Sequence, residues 1–598
     1  MNRILSIFHK EIAGVHQAAF LLGAFTLLSQ LLALVRDRML ANFFGAGQAL
    51  DLYYTAFRIP DLLYASVASL VSISVLIPFF SGVFQTGTSD QDADGQDTDG
   101  QDTKAEREQK NEKARKFMDS IFTAFLTIMV VVSVIAFLLM PYLVRFFFGN
   151  LGGEAAMAEL TTLSRLLLLQ PICLGISNMF GVITQIRKRF FLYALSPILY
   201  NLSIIFGLIF LYPEYGMRGV IFGVVIGGVM HFLIQIPFIF KEGLMPRLTY
   251  KLDFKTIVSV IKVSIPRTIT LSGNMIELIV ITSFASWIVV GSVSVLNLAL
   301  NLQSVPFAIV GVSYALAAFP TLSACFAKGE REKFMNHMVT ATRHVIFWSI
   351  PIAALFIVLR AQIVRTILGS GSFNWDHTRL TAACLALFVV SLVAQGLELL
   401  FIRAYYAAGR TAKPLVLNIL SSIATIGFPF LLLVLFNEHN TFRFFIESLF
   451  KVEGVEGAGV LMLPLGYSIG TLLNALAFWI MFEFDFGTRW SKVGGNSAVD
   501  RHPFTSKVMP TFSVSVQAAV FAGFVAYVGL NIFDTVFDLS TLFGIFMQGF
   551  LAGLMGIAGG ILVFIILGNK EIGEIYTALR QKVWGTKIIV SEPDKIEV

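Results

Sequence analysis

The sequence has little charge and almost no cysteine. Asp, Glu, Lys and Arg make up only 14% of its 598 residues, whereas 56% are apolar and the mean hydropathy is +0.77. A soluble globular protein has about 25% charged residues, so this composition excludes such a protein, and it equally excludes a disordered chain. It is typical of a polytopic membrane protein.

Other absences exclude further classes of protein. The three cysteines, Cys173, Cys325 and Cys384, are far apart, so they predict neither a disulfide framework nor a thiolate metal site. The sequence also has no Walker-type glycine loop, no HExxH pair and no GxSxG elbow. We therefore expect no enzyme activity, no cofactor and no ATP-driven step. The N-terminus lacks the pattern of a cleaved secretory signal, so we expect it to be retained.

Long apolar runs dominate what is present. A helix needs about 20 apolar residues to cross the hydrocarbon core of a bilayer, and we number the runs of this kind as spans 1 to 14. They lie near 17–36, 52–84, 119–144, 160–185, 193–212, 217–240, 263–289, 293–319, 344–361, 378–402, 414–436, 458–482, 510–533 and 541–568. The sequence therefore predicts an all-α polytopic membrane protein with about 14 transmembrane helices.

Basic residues fall mainly in the loops that follow even-numbered spans. Arg187-Lys188-Arg189 follows span 4, and five Lys and Arg residues lie between Lys241 and Lys262 after span 6. Because Lys and Arg are retained on the cytoplasmic side, we expect both termini in the cytoplasm. The formal net charge of +6 is then a topology signal, and we expect no nucleic-acid partner.

A polar segment separates spans 2 and 3. Residues 86–116 lack apolar periodicity, so we expect a disordered acidic insertion. The run DQDADG at 90–95 matches the opening of a calcium loop, but Gln101 stands where that loop needs its bidentate Glu. We prefer a solvated linker to a calcium site and predict no metal.

An internal repeat predicts the domain organisation. The segment Pro197-Ile-Leu-Tyr-Asn201 at span 5 recurs as Pro414-Leu-Val-Leu-Asn418 at span 11. Two pseudo-symmetric six-helix lobes in parallel are typical of transporters that rock two halves around a central site. We predict an N-lobe at 1–240, a C-lobe at 241–484, a cytoplasmic loop at 485–509, two further helices at 510–568 and a cytoplasmic tail at 569–598.

Polar side chains in the first helical hairpin, at the end of span 1 and along span 2, are the main candidates for a binding site. An ionisable group at bilayer depth costs at least ~2.5–3.5 kcal/mol, so each one is a functional hypothesis. The candidates are Gln30, Arg36, Asp37, Asp51, Arg58, Asp61 and Tyr64. Arg36 and Arg58 point to phosphate binding, because a guanidinium can hold a phosphate through two hydrogen bonds. Pro60 should interrupt span 2 and expose polar groups to a cavity.

Two acids stand alone in later apolar runs. Glu277 in span 7 and Glu398 in span 10 have the character of groups that couple transport to a cation or proton. Pairing with a nearby arginine would explain either residue equally well.

Two motifs carry a resemblance to a known family. The first is Phe44-Gly-Ala-Gly47 followed by Asp51 and by Ala56-Phe-Arg-Ile-Pro-Asp-Leu-Leu63, and the second is Tyr405-Tyr-Ala-Ala-Gly-Arg-Thr-Ala-Lys-Pro414. Together they resemble the MviN/MurJ family of lipid II flippases, within the multidrug/oligosaccharidyl-lipid/polysaccharide exporter superfamily. The resemblance implies two six-helix lobes, a lipid-facing groove formed by spans 13 and 14, and a central cationic cavity.

The cavity residues only partly follow the family pattern. Arg36 matches a family arginine, and Arg58 stands where the family often has lysine. Gln30, Tyr64 and Asn301 stand where the family usually has arginine. Span 11 lacks the acid of the family's sodium site, for which Glu277 is a substitute candidate.

The resemblance implies a flippase that translocates undecaprenyl-pyrophosphate-linked peptidoglycan precursor, lipid II, by alternating access. It further implies a monomer in the bacterial inner membrane that works with membrane lipids and the cell-wall synthesis machinery. The altered arginine positions leave open a different polyprenyl-pyrophosphate-linked glycan as cargo. The sequence is also compatible with a cation-coupled exporter of small amphiphiles and with a non-transporting scaffold of a cell-wall complex.

Overall fold

The structure is a computed structural model that describes residues 15–71, 76, 104–187, 189–488 and 504–574. Within these residues it contains α-helices, short 3-10 and π segments, and no strand. The predicted all-α fold class is therefore confirmed.

The helices are numbered here in chain order. They are α1 Val15–Phe44, α2 Gln48–Ala56, α3 Arg58–Ser66, α4 Lys104–Phe148, α5 Glu154–Leu167, α6 Leu169–Ile186, α7 Phe190–Phe206, α8 Tyr212–Tyr215, α9 Met217–Leu233, α10 Ile236–Lys241, α11 Phe254–Ser286, α12 Ser292–Phe307, α13 Ser313–Ala327, α14 Arg331–Val358, α15 Arg360–Ile367, α16 Trp375–Val390, α17 Leu392–Ala407, α18 Ala412–Glu438, α19 Asn440–Phe450, α20 Met462–Phe482, α21 Thr505–Asp534 and α22 Leu542–Ile566.

Twelve stretches of helix in the described residues are long and apolar enough to cross a membrane. They run from Arg115–Phe148 to Leu542–Ile566 and coincide with predicted spans 3 to 14. Spans 1 and 2 correspond to α1 and to the two short helices α2 and α3. The total of 14 stays a prediction.

The second predicted span is interrupted, as the proline in it indicated. Helix α2 ends before Phe57, and α3 begins at Arg58. Pro60 lies in the first turn of α3, where a backbone N–H has no partner within its own helix and proline is tolerated. The break therefore gives each polar residue of span 2 a position near a helix end.

Part of the predicted insertion is helical. Helix α4 begins at Lys104, inside the segment 86–116, and the ion pair of Glu112 with Lys116 (2.8 Å) spans one exposed turn of it. Alternating acidic and basic residues four apart support such a solvated helix. Residues 86–103, including the DQDADG run, lie outside the described residues.

The chain divides into two compact units. The first comprises residues 1–302, 367–384 and 415–470. Within it α7 packs against both α1 and α9. Gly207 and Gly223 permit the contact with α9, because a Cβ on Gly207 would lie 2.6 Å from the Cα of Gly223. Small residues allow this close approach of membrane helices.

The second unit comprises residues 303–366, 385–414 and 471–598. Within it α21 packs closely against α22 and against α14. Gly529 and Gly556 make the contact between α21 and α22 possible, since a Cβ on Gly556 would lie 2.8 Å from the carbonyl oxygen of Ala522. The predicted lobes and the groove formed by spans 13 and 14 stay predictions.

Candidate functional site

Arg36 and Asp37 form the centre of a polar network in the first unit. The guanidinium of Arg36 donates from Nε (3.0 Å) and Nη2 (2.8 Å) to Oδ1 of Asp37. Its Nη1 donates to Oδ1 of Asn201 on α7 (3.0 Å). The carboxylate of Asp37 is almost fully buried, while the side chain of Arg36 keeps 18% exposure. The pair is therefore accessible mainly through Arg36.

Neutral residues complete this network. Asn301 on α12 donates from Nδ2 to the second oxygen of Asp37 (2.9 Å). The amide of Asn201 donates to Oγ of Ser29 (3.2 Å) and to the carbonyl oxygen of Pro197 (3.1 Å). The structure thus joins the predicted residues Arg36, Asp37 and Asn301. Asn201 was missed as a site residue, although an asparagine within an apolar span was the available signal.

Arg58 lies in a second network that contains no hydrogen-bonded acid. This arginine is 6% exposed, and its Nε donates to Oγ1 of Thr282 (2.9 Å). Its Nη2 donates to Oδ1 of Asn297. Both acceptors are fixed by bonds to their own helices, since Thr282 donates to the carbonyl of Leu278 and Asn297 to that of Val293 (2.7 Å each). The hydrogen bonds of Arg58 therefore go to neutral oxygens.

Asp61 is the acidic group that acts on Arg58 electrostatically. It lies on α3, three residues after Arg58, and is half-buried. Its carboxylate accepts no hydrogen bond from the residues that the structure describes. The attraction therefore orients Arg58 without occupying its N–H groups.

Asp51 has a different position from the other predicted site residues. It is 1% exposed, and its Oδ2 accepts from the backbone N–H of Gly291 (2.6 Å). Its Oδ1 accepts from the backbone N–H (2.7 Å) and the hydroxyl (2.5 Å) of Ser294. These donors belong to the N-terminal turn of α12, so Asp51 caps that helix from a distance. The geometry is that of a structural residue, with both oxygens occupied by the protein.

Gln30 and Tyr64, which stand where the family usually has arginine, lie outside both networks. Tyr64 accepts a hydrogen bond from Nδ2 of Asn178 through its hydroxyl (3.0 Å). Gln30 is half-buried on α1, and its neighbour Ser29 is the residue that reaches Asn201. Neither residue brings a positive charge to the site.

Two buried tyrosines and one half-buried tyrosine interact with the arginines and were not predicted. Tyr53 and Tyr54 on α2 and Tyr200 on α7 all interact electrostatically with Arg36. Tyr200 accepts from Nε2 of Gln170 (3.0 Å), whereas the hydroxyl of Tyr54 is buried and has no hydrogen-bond partner in the described part of the chain. Tyr54 also interacts with Arg58. Its hydroxyl is therefore a free donor beside both cationic groups.

The two candidate coupling acids lie in different units. Glu277 is half-buried on α11 in the first unit. Glu398, on α17 in the second, interacts electrostatically with the side chain of Asn474. Asn474 is itself 5% exposed and lies on α20. The sequence thus located both acids but missed the amide that contacts Glu398.

The second sequence motif forms an ion pair with a buried acid. Asp485, which is fully buried, accepts from Nζ of Lys413 (2.6 Å) and from the hydroxyl of Tyr405 (2.9 Å). Arg410 lies 4.0 Å from the same carboxylate. The motif residues therefore hold the segment after α20 against the loop between α17 and α18. This role is structural.

The sequence matches a known family over most of its length. The family is described as lipid II flippase MurJ, and the match covers residues 40–548. The chain belongs to this family. A probable lipid II flippase MurJ of Haemophilus influenzae is 24% identical over 419 residues, which cover 67% of this chain and 78% of the relative. The lipid II flippase MurJ of Burkholderia cenocepacia is 23% identical over 401 residues, covering 66% and 73%.

Solved structures of transporters share the fold. A lipid II flippase MurJ in an inward closed conformation aligns with a TM-score of 0.66 at 20% identity, covering 93% of this chain and 100% of that one. An inward-facing multidrug resistance MATE family transporter of the MOP superfamily aligns with a TM-score of 0.60 at 15% identity, covering 79% and 96%. At these identities the likeness establishes the fold, which is that of MurJ and MATE transporters.

Proposed function

We propose that this chain is a lipid II flippase. It carries the undecaprenyl-pyrophosphate-linked peptidoglycan precursor across the bacterial cytoplasmic membrane during cell-wall biosynthesis. Membership of the MurJ family over residues 40–548 supports the cargo. Within the site, the proposal is supported by the buried guanidinium of Arg58, because its hydrogen bonds go to neutral oxygens.

The two arginines have unequal parts in this proposal. Asp37 occupies the Nε and Nη2 edge of Arg36, so a phosphate has to compete with a carboxylate for that edge. To bind a phosphate, Arg58 has to break hydrogen bonds only to the neutral side chains of Thr282 and Asn297. A charge-assisted hydrogen bond is worth about 1.5–3 kcal/mol, which favours Arg58 as the stronger grip on the pyrophosphate. The hydroxyl of Tyr54 is a further donor for the same group.

The translocation step follows the alternating-access scheme of related folds. MATE transporters of the MOP superfamily adopt both inward-facing and outward-facing conformations. We expect this chain to bind the headgroup from the cytoplasmic side and release it on the other side. Glu277 and Glu398 are the candidates for coupling this cycle to a cation or proton.

The setting of the protein completes the proposal. We expect a monomeric, multi-pass protein of the bacterial inner membrane with both termini in the cytoplasm. Its substrate is a lipid-linked saccharide, and the machinery of cell-wall synthesis is a candidate partner. The proposed function is transport and includes no enzymatic step.

A different polyprenyl-pyrophosphate-linked glycan is the second candidate cargo. The positions of Gln30, Tyr64 and Asn301 favour it, because the family usually places arginine there. Asn301 and Tyr64 are hydrogen-bonded within the protein and add no charge. A site with fewer cations favours a headgroup whose binding depends less on its pyrophosphate and more on contacts of its glycan with the cavity.

Complementation tests the cargo and the role of Arg58 together. A bacterium depleted of its own lipid II flippase receives the wild-type chain, Arg58→Ala or Arg145→Ala at matched membrane levels. Arg145 is the control, because its ion pair with Glu154 is exposed and exposed pairs contribute little. We expect rescue by the wild type and by Arg145→Ala but not by Arg58→Ala. Rescue by all three would remove Arg58 from the mechanism, and failure of a well-inserted wild type would favour the other glycan.

A further inference from the structure

A polar cavity lies within the second unit and shares no residue with the arginine networks. It has a volume of about 520 Å³ and lies between α14, the first turns of α21 and the turn that follows α22. Gly568, with φ of +61°, ends α22 and lets the chain turn back so that Asn569, Lys570 and Glu571 line the cavity. This turn needs glycine, because the left-handed conformation strains other residues.

One wall of the cavity is a buried acid with an unused oxygen. Glu571 is 2% exposed, and its Oε1 forms an ion pair with Nε of Arg343 (2.6 Å) and accepts from the hydroxyl of Thr511 (3.0 Å). Its Oε2 is buried and has no hydrogen-bond partner among the residues that the structure describes. A buried carboxylate oxygen without a donor is unfavourable. The site is therefore complete only when a ligand supplies a donor to Oε2.

The cavity is also lined by basic side chains. Lys507 and Lys570 both line it and are exposed, and neither forms an ion pair with a described residue. With Arg343 they outnumber the single acid that lines the cavity, Glu571. The cavity therefore offers ammonium groups to an anion and a carboxylate oxygen to a cationic donor at the same time.

Exposed apolar side chains line the cavity or are next in sequence to residues that line it. Met509 and Phe512 on α21 are 53% and 39% exposed, and Ile566 and Leu567 at the end of α22 are 70% and 43% exposed. Such a surface suits acyl chains, and a basic pocket between membrane helices suits a lipid headgroup. The cavity also has the size of an ordinary ligand site.

We propose that this cavity binds the headgroup of a phospholipid that carries both a phosphate and a primary ammonium, as phosphatidylethanolamine does. The ammonium donates to Oε2 of Glu571, and the phosphate lies beside Lys507 and Lys570. The acyl chains lie on the exposed apolar side chains. The site is separate from Arg36 and Arg58 in sequence and in chemistry, so the proposal does not depend on the cargo.

Binding of defined lipids to the purified, lipid-stripped full chain tests the proposal. Native mass spectrometry compares phosphatidylethanolamine with phosphatidylcholine, whose trimethylated ammonium cannot donate, and with phosphatidylglycerol, which has no ammonium. All three carry the same acyl chains. We expect phosphatidylethanolamine to bind about tenfold more tightly than phosphatidylcholine, the effect of one charge-assisted hydrogen bond. Equal binding of these two lipids would overturn the proposal.

Variants assign the preference to the cavity. Glu571→Gln should abolish the preference for phosphatidylethanolamine, because the amide offers a donor where Oε2 was an acceptor. The double variant Lys507→Gln/Lys570→Gln should weaken the binding of all three lipids. It leaves Arg343 paired with Glu571. Lys328→Gln, at an exposed lysine outside the cavity, should leave the affinity for each of the three lipids unchanged. A preference that survives both Glu571→Gln and the double lysine variant would place the lipid elsewhere.

Two further results keep the test decisive. If Glu571→Gln does not fold, the wild-type comparison and the double lysine variant decide the question alone. Soluble phosphoethanolamine, the headgroup without its chains, tests the other source of the same chemistry. Binding of this compound without binding of the lipid would overturn the assignment to a membrane lipid.

Discussion

The position of Asp51 leads to a prediction that separates a structural acid from a ligand-binding one. Asp51→Ala removes the acceptor for three hydrogen bonds, which come from Gly291 and Ser294 at the start of α12. Loss of a helix cap costs ~0.5–2 kcal/mol, and a buried donor left without a partner costs a further ~1–3 kcal/mol. We expect the free energy of unfolding to fall by about 2–5 kcal/mol.

The assay measures stability and transport separately. Thermal unfolding in detergent gives the loss of stability, and flipping of a fluorescent lipid II in proteoliposomes is scaled to the amount of folded protein. Transport per folded molecule should stay close to that of the wild type. Asp51→Asn should be milder than Asp51→Ala, because one amide oxygen still accepts from Ser294.

A matched control is another aspartate that caps a helix. Asp253 accepts from the backbone N–H (3.2 Å) and hydroxyl of Thr256 at the start of α11, but it is exposed. Those bonds hold the pKa of its carboxyl below the usual value. Asp253→Ala should therefore lower stability less than Asp51→Ala does. Unchanged stability of Asp51→Ala together with lost transport would refute the capping role and return Asp51 to the binding site.

Three further predictions concern other residues of the two units. Tyr54→Phe removes a hydroxyl that has no hydrogen-bond partner among the described residues, so the unfolding temperature should not fall. The apparent affinity for the lipid-linked substrate should weaken in the flipping assay, and an unchanged affinity would count against a contact with the ligand. Gly291→Ala should lower the unfolding temperature sharply, because φ is +95° and the new Cβ would lie 2.2 Å from the carbonyl oxygen of Ala46; an unchanged melting curve would contradict this geometry. Asp485→Asn weakens the bond to Lys413 and should lower the free energy of unfolding by about 1–3 kcal/mol in chemical denaturation. An unchanged free energy of unfolding would contradict a structural role for that pair.

Hydropathy predicts most of the fold because each membrane helix satisfies its own backbone and must be apolar toward the lipid. This is why spans 3 to 14 coincide with the twelve helices of sufficient length and apolarity. The break in span 2 was also predictable, since Pro60 marks it. The division into units was not, because the packing of one helix on another depends on residues far apart in the sequence.

The charged residues of the candidate site could be predicted from the sequence. The neutral residues that hydrogen-bond to them could not. Arg36 and Asp37 are adjacent and conspicuous in an apolar run, and the structure pairs them. Thr282 and Asn297, which hold Arg58, are 224 and 239 residues away from it and resemble many other small polar residues. Asp51 is conspicuous in the sequence because it is charged, whereas two of its three donors are backbone N–H groups, which carry no sequence signal.

The adjacency of Arg36 and Asp37 has a consequence for how the protein enters the membrane. Asn301, which completes their network, is 264 residues farther along the chain than Asp37. At a synthesis rate of about 5–20 residues per second, the first helix waits on the order of 10–50 s before that partner exists. A lone charge at the centre of a membrane helix costs ~2.5–3.5 kcal/mol during insertion, and this is an upper bound for Arg36 and Asp37, which lie toward the end of theirs. Because the two charges neutralise each other within one turn, the nascent first helix needs no distant partner to be accepted by the membrane.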